Sequence, residues 1–274
     1  MTSDPLFDEL SGLLDRREAR WLLEELDSEP ASSRRQRALG LARRRAAGEP
    51  LQFVIGHWPF RTIELLVDPR ALIPRPETEL LVDVALRVLA ASPEASVVCD
   101  LGCGSGAIAL SIAVEARALG RAVEVVATDV SVAALDLARS NAARTGAMPV
   151  TFLHGSWFDA LPEAMDGRID VCCANPPYVA ASERAALARE LDFEPDVALV
   201  AGDGTESTPG FGAVETIILG APRWLAPGGT LLVEHGDRHG RAAVECAARA
   251  GLVEMVDHDD LAGRPRLLEA RRPR

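Results

Sequence analysis

Asn175-Pro176-Pro177-Tyr178 follows directly on the apolar run Val171-Cys172-Cys173-Ala174. A tight Pro-Pro turn at the C-terminal edge of a strand holds the Asn175 amide and the Pro176 carbonyl rigidly, both facing the crevice where an open α/β sheet binds its ligands. Two fixed acceptors are what a planar NH2 group needs. An amide or aromatic amine is a weak nucleophile because its lone pair is delocalised; accepting both of its hydrogens aims that lone pair at an electrophile such as a sulfonium methyl. Tyr178, the chain's one tyrosine, would pack on a planar substrate or near the methyl. Taken alone, Asn-Pro-Pro is also simply a turn.

A second group of residues points to the cofactor. Asp100-Leu101-Gly102-Cys103-Gly104-Ser105-Gly106 lies where a strand turns into a helix, and glycines there let the backbone approach a ligand while the helix N-terminus offers free N–H groups. The spacing is G-x-G-x-G, not the dinucleotide G-x-G-x-x-G. Asp129 ends the next strand, about 20 residues further on, where nucleotide-binding α/β folds place a carboxylate for ribose hydroxyls. Its competing reading is a structural N-cap, since Ser131 and the following alanines start a helix. Together the glycine turn and Asp129 describe an adenosine site with no need for a pyrophosphate, a description that S-adenosylmethionine fits.

The elements that must position these residues can be read from the same chain. Apolar strand candidates at Val97–Leu101, Val123–Thr128, Val150–Leu153, Ile169–Ala174, Thr230–Glu234 and Leu252–Val256 alternate with helical stretches, which predicts an α/β fold with a mostly parallel sheet covered on both faces. A last run at Leu267–Ala270 follows too closely for a helical crossover and is expected to join antiparallel. Ile73-Pro74-Arg75-Pro76-Glu77-Thr78-Glu79 reads as an extended segment leading into a helix through about Leu89. Phe53-Val54-Ile55 and Ile63–Val67 read as the two arms of a hairpin-like connector. The first fifty residues read as helices, with Leu6, Leu10, Leu13 and Leu14, then Trp21, Leu22 and Leu26, at three- and four-residue intervals. Arg34, Arg35, Arg37, Arg43, Arg44 and Arg45 form a basic stretch that is either a docking face for an anionic partner or a solvated helix face. Ala201–Gly210 is a polar loop of the kind that covers a site.

Composition narrows the chemistry. The 274 residues contain no lysine, so the whole Lys+Arg count of 29 is arginine, which excludes Schiff-base and pyridoxal enzymes and the phosphate-gripping lysine of a P-loop. A net charge of -12 repels a phosphate backbone overall, and no direct nucleic-acid partner is expected. The five cysteines form no Cys-x-x-Cys pair and are expected to be mostly buried free thiols. His235 and His239 are spaced like helical metal ligands but lack a third ligand, so no metal is expected. No apolar run reaches the roughly 20 residues of a bilayer span and no secretory signal is visible, so a cytoplasmic protein with no membrane association is expected; a monomer is also expected.

From about Gly48 to Arg266 the chain resembles the HemK/PrmC family of peptide-chain release factor glutamine N(5)-methyltransferases. The likeness runs through Gly56-His57-Trp58-Pro59-Phe60, Leu72-Ile73-Pro74-Arg75-Pro76-Glu77-Thr78-Glu79, the Asp100–Gly106 turn, Asn175–Tyr178, Glu194-Pro195, Gly228-Gly229, Glu234-His235-Gly236 and Asp260–Arg266. The Asn-Pro-Pro-Tyr box also occurs in adenine-amino DNA methyltransferases, whereas Pro-Arg-Pro-Glu-Thr-Glu is much more particular. The resemblance implies a helical substrate-binding domain over residues 1–50, a β-hairpin linker over 51–72, and a methyltransferase domain over 73–274 with a seven-stranded Rossmann-like sheet. Carried over by position, Asp100, Gly102, Cys103, Gly104, Ser105, Gly106 and Asp129 would bind S-adenosylmethionine, with Trp157 at the adenine and Asn175 beside the cofactor. Trp157 is otherwise a core aromatic. Asn175, Pro176, Pro177 and Tyr178 would be catalytic and hold the glutamine amide of the Gly-Gly-Gln loop of a release factor. Arg75 and Glu77 would line the substrate entrance, or form a surface charge pair. Ser156 stands where many relatives carry an acid, and His239 where a glutamine is common. The rival targets are a ribosomal-protein glutamine and an adenine amino group in nucleic acid; the rival without catalysis is a cofactor-binding scaffold.

Overall fold

The computed structural model describes residues 4–91, 96–147, 149–201 and 208–274. The chain opens with α1 (Pro5–Leu10), α2 (Arg16–Glu25), α3 (Ala31–Ala46) and α4 (Leu51–Ile55), which pack Leu10, Leu22, Leu26, Ala38, Leu39 and Val54 into a core of their own. Asp15 starts α2 by accepting from the backbone N–H groups of Arg17 and Glu18 at 2.8 and 3.0 Å. α1 stops at Leu10, with Ser11 as its C-cap, and leaves Leu13 exposed.

One expected strand is a helix. Phe53-Val54-Ile55 belongs to α4, set between Pro50 at its N-cap and Gly56 at its C-cap with φ 90°. A three-residue apolar run has no readable period, and the left-handed glycine that ends it is a helix-stop signal. The hairpin itself is displaced, to β1 (His57–Phe60) and β2 (Ile63–Leu66), paired His57 with Leu66 and Phe60 with Ile63.

After a 3-10 turn at Pro76–Thr78 comes α5 (Glu79–Ala91), and then β3 (Ser96–Leu101), α6 (Ala107–Ala118), β4 (Val123–Asp129), α7 (Val132–Thr145), β5 (Val150–His154) and β6 (Ile169–Ala174). The short α8 (Asp196–Leu199) and then α9 (Gly212–Trp224) lead to β7 (Leu225–Glu234), α10 (Gly240–Arg249), β8 (Val253–Asp259) and β9 (Pro265–Arg271). Seven strands form one sheet in the order β5-β4-β3-β6-β7-β9-β8, parallel except for β9, which runs antiparallel to both neighbours. Alternate residues of β6 face opposite cores, Val171 and Cys173 toward α5 and α6, Cys172 and Ala174 toward α9 and α10. Burial on both faces is why the parallel strands read as unbroken apolar runs. β7 starts five residues earlier than Thr230, because Ile169 pairs with Leu225 across an irregularity in the register.

This order fixes where a ligand can bind. From β3 the chain winds outward to β4 and β5, then returns to β6 on the other side of β3. Beyond the carboxyl ends of β3 and β6 the connections diverge and leave a crevice. Both the glycine turn and Asn175 sit on its rim.

The arginines of α3 are mostly occupied within the chain. Arg34 pairs with Asp27, Arg35 with Glu9, Arg37 with Glu29, Arg44 with Glu49, and Arg45 with Glu18 at 2.7 Å and Glu190 at 2.6 Å. They tie the N-terminal helices together, and Arg45 also ties them to the 3-10 turn Arg189–Phe193. All five cysteines are buried and free. Residues 202–207 of the polar Ala201–Gly210 loop lie outside the described residues. Among the described residues no helix is long and apolar enough to cross a membrane.

Candidate active site

A cleft of about 1020 Å³, counting the open space at its mouth, lies over the C-terminal ends of β3, β4 and β6. Gly102, Cys103, Gly104 and Ser105 form its floor, Asp129 and Ser131 one side, and Trp157 the far wall. Asn175 and Pro177 face them, and Leu72, Pro74 and Arg75 close the near side with Val197 and Ala198. Of the residues read from sequence, Asp100, Gly106, Pro176, Tyr178 and Glu77 are not on this lining. Asp100 is fully buried beneath the turn, where its Oδ2 accepts from the Ala109 N–H at 3.1 Å; burial pushes its carboxyl up to about 7. Gly106 caps α6 with φ 86°. Glu77 lines a separate groove with Glu79, Asp83 and Asp259–Ala262.

The glycine turn and Trp157 fit each other. A Cβ on Gly102 would come within 2.8 Å of the indole, and Gly102 also holds φ +72°, so only glycine allows the ring to lie on the loop. Trp157 itself sits at φ 44°, a conformation that costs a bulky residue energy and recurs at sites where geometry matters more than stability. Asp129 is 9% exposed; its Oδ2 accepts from Gly104 N–H and its Oδ1 from Ser131 N–H, both at 2.8 Å. Burial raises its pKa, and those backbone donors oppose the rise. The N-cap of α7 is Ser131, so Asp129 anchors the loops and keeps carboxylate lone pairs toward the cleft.

Asn175 donates from Nδ2 to Thr78 Oγ1 at 3.0 Å. Among the described residues that is the side chain's one hydrogen bond, which leaves Oδ1 as a spare acceptor on a residue that lines the cleft. Arg75 is held by an ion pair with Glu194, whose other oxygen accepts from Ile73 N–H at 3.0 Å. That buried carboxylate fastens the 188–199 segment across the mouth of the cleft. Tyr178 lies behind Asn175 with Arg266 over its ring at 5.9 Å, and burial pushes its hydroxyl up to about 12. His235 and His239 do not converge: the Nε2 of His235 pairs with Asp257 at 3.1 Å, while that of His239 lies 3.0 Å from the Pro209 carbonyl. Among the described residues no group of three or more His, Cys, Asp or Glu could hold a metal ion.

Sequence reasoning gave no role to Thr78 and Glu234, although both fall in quoted segments. The signal available was weak: a threonine between two acids, and an acid at the end of a strand. Thr78 has no meaning until the fold brings it to Asn175, nor Glu234 until the fold buries it at the end of β7.

Residues 93–261 match the family model described as a methyltransferase domain. A release factor glutamine methyltransferase of Neisseria gonorrhoeae is 40% identical, with 95% of this chain and 96% of that protein covered. One of Bordetella pertussis is 42% identical over 90% of this chain and 87% of its own length. This chain belongs to the release factor glutamine methyltransferase family. It is therefore an S-adenosylmethionine-dependent methyltransferase. The fold agrees: the Thermus thermophilus 16S rRNA N2 G1207 methyltransferase, solved with AdoMet and guanosine, superposes with a TM-score of 0.53 at 17% identity, over 79% of this chain and 49% of that one.

The residues present fit the family's cofactor. The Gly102 cradle against Trp157, the carboxylate of Asp129 at the end of β4, and apolar walls from Leu72, Val130 and Val197 provide a flat ring surface, a hydroxyl acceptor and a place for the aliphatic part. The two arginines on the lining, Arg70 and Arg75, are paired with Asp68 and Glu194, as suits a ligand without phosphates.

Proposed function

We propose that the chain transfers a methyl group from S-adenosylmethionine to the side-chain amide of the glutamine in the Gly-Gly-Gln motif of peptide-chain release factors. The observation that carries this reading is the carboxamide of Asn175, its Nδ2 engaged by Thr78 and its oxygen left as a spare acceptor, on the lining of the cleft that also holds the glycine turn and Asp129. S-adenosylmethionine, when bound, supplies an electrophilic methyl on a sulfonium sulfur. The chain's own part is orientation. Asn175 Oδ1 accepts one amide hydrogen from the cleft lining; the Pro176 carbonyl, next along the chain and off that lining, accepts the other, and Pro176-Pro177 keeps both acceptors from moving. Asp129 takes the ribose hydroxyls, Gly102–Ser105 the backbone-facing edge, and Trp157 the adenine. No general base of the chain is needed, since the alkylated nitrogen is acidic enough to lose its proton to water.

The division into a helical unit over residues 1–50, a hairpin connector over 51–72 and a catalytic unit over 73–274 belongs to the same reading. The first unit holds the release factor and Arg75 stands at the entrance; Glu77, on the neighbouring groove, meets the substrate outside the cleft. We place the enzyme in the cytoplasm, as a monomer acting on protein and not on nucleic acid; the net charge of -12 supports the last point. Replacing Asn175 with Ala tests the assignment. Cofactor Kd measured by calorimetry should stay within about threefold, while kcat on a release factor should fall by about a hundredfold or more. Weakened cofactor binding with normal turnover at saturation would overturn it.

A further inference from the structure

Asn141 lies on α7, fully buried, and both hydrogens of its side chain are in use. Its Oδ1 accepts from the Leu66 N–H at 2.7 Å, while its Nδ2 donates to the Leu66 carbonyl at 3.1 Å and to the Ser105 carbonyl at 2.9 Å. Leu66 ends β2, and it is the next residue, Val67, whose N–H turns back to β1, onto the Gly56 carbonyl. Leu66 therefore presents its own N–H and C=O on the open edge of the hairpin, and the carboxamide answers both as a third strand would. The remaining hydrogen of Nδ2 goes to the glycine turn. One buried side chain thus joins the hairpin connector to the loop that floors the cleft.

The chain just beyond Leu66 is the near wall of that cleft. Arg70, Ala71 and Leu72 line it, Ala71 and Leu66 pack against Ala134 and Leu137 of α7, and a Cβ placed on Gly104 would lie 3.8 Å from that of Ala71. On its other side the connector carries the N-terminal helices. An amide is the group this place demands. An ionised aspartate would set lone pairs against two carbonyl oxygens, and an apolar side chain would leave the Leu66 N–H and both carbonyls without this partner. We propose that Asn141 is a positioning residue that holds the hairpin connector on the glycine turn, so that seating of the connector and binding of S-adenosylmethionine are one coupled equilibrium. By linkage, a seated connector raises cofactor affinity, and the cofactor in turn steadies the connector and the helices it carries. This rests on the reading above, in which the cofactor lies on Gly102–Ser105.

Backbone hydrogen exchange, read by mass spectrometry on the full chain with and without saturating S-adenosylmethionine, tests this through peptides covering residues 63–67 and 102–106. In the wild type the cofactor should slow exchange in both peptides about tenfold or more. Asn141→Asp, which keeps the shape, and Asn141→Ala should each raise cofactor Kd about tenfold or more by calorimetry. In both variants saturating cofactor should still slow the glycine turn, while residues 63–67 exchange within about twofold of their unbound rate. A side chain that only stabilised the fold would speed exchange in both states by one factor and would keep the cofactor's effect on the connector. Protection of residues 63–67 retained in both variants, with unchanged Kd, would overturn the coupling. So would a wild type in which the cofactor slows the turn and not the connector, and that comparison needs no variant to fold. A cofactor that binds and leaves residues 102–106 unprotected would overturn its placement on the glycine turn, and the coupling with it.

Discussion

Glu234→Gln should make the protein more stable above neutral pH. Burial raises the Glu234 carboxyl from an ordinary 4.5 up to about 7, with Thr78, Tyr178 and Arg266 opposing the rise. Between those two pH values the folded protein holds a proton that the unfolded chain has released, so wild-type stability falls as pH rises from 4.5 and levels off above 7. The full difference corresponds to about 3 kcal/mol, or about 6 °C in Tm for a chain of this size. Glutamine keeps the shape and never ionises. The two proteins should therefore melt within about 2 °C of each other at pH 5, and Glu234→Gln should melt about 6 °C higher at pH 8.5. Asp100 is also raised to about 7, but it titrates in both proteins and cancels in the comparison. Thermal unfolding by circular dichroism at half-unit pH steps reads the difference directly. A Tm offset that does not change with pH would show that Glu234 is not held as a buried, incompletely satisfied acid.

Gly102→Ala adds a methyl 2.8 Å from the Trp157 ring at a φ of +72°, and should weaken S-adenosylmethionine binding about tenfold or more and cost about 1–3 kcal/mol of stability, read by calorimetry and melting. Asp129→Ala removes the acceptor for the N–H groups of Gly104 and Ser131 as well as the ribose partner, and should raise cofactor Kd about tenfold or more. Arg45→Ala breaks the ties to Glu18 and Glu190; it should raise KM for a release factor more than it lowers kcat, as seen in initial-rate kinetics.

Much of the sheet was legible because its strands are buried on both faces, so each read as an apolar run bounded by turn residues. The glycine turn, Asp129 and Asn175 were legible for a related reason: each stands at the carboxyl end of a strand, where a parallel sheet binds ligands. What escaped was of two kinds. Short elements without a period, such as Phe53-Val54-Ile55, took their state from the caps at Pro50 and Gly56, and the early start of β7 was hidden by Pro227-Gly228-Gly229, which reads as a turn. Contacts between distant residues were invisible in principle. Nothing near Arg35, Arg37 or Arg45 announces Glu9, Glu29 or Glu190, and nothing near Thr78 announces Asn175.

The most direct measurement is to incubate the protein with isotope-labelled S-adenosylmethionine and a purified release factor, beside a copy whose Gly-Gly-Gln glutamine is alanine, and to map the label by mass spectrometry. Label on that glutamine side chain in the first sample and none in the second is the expected result. Label on neither, with cofactor binding intact, would contradict the substrate assignment and direct the search to ribosomal-protein glutamines and nucleic-acid amino groups.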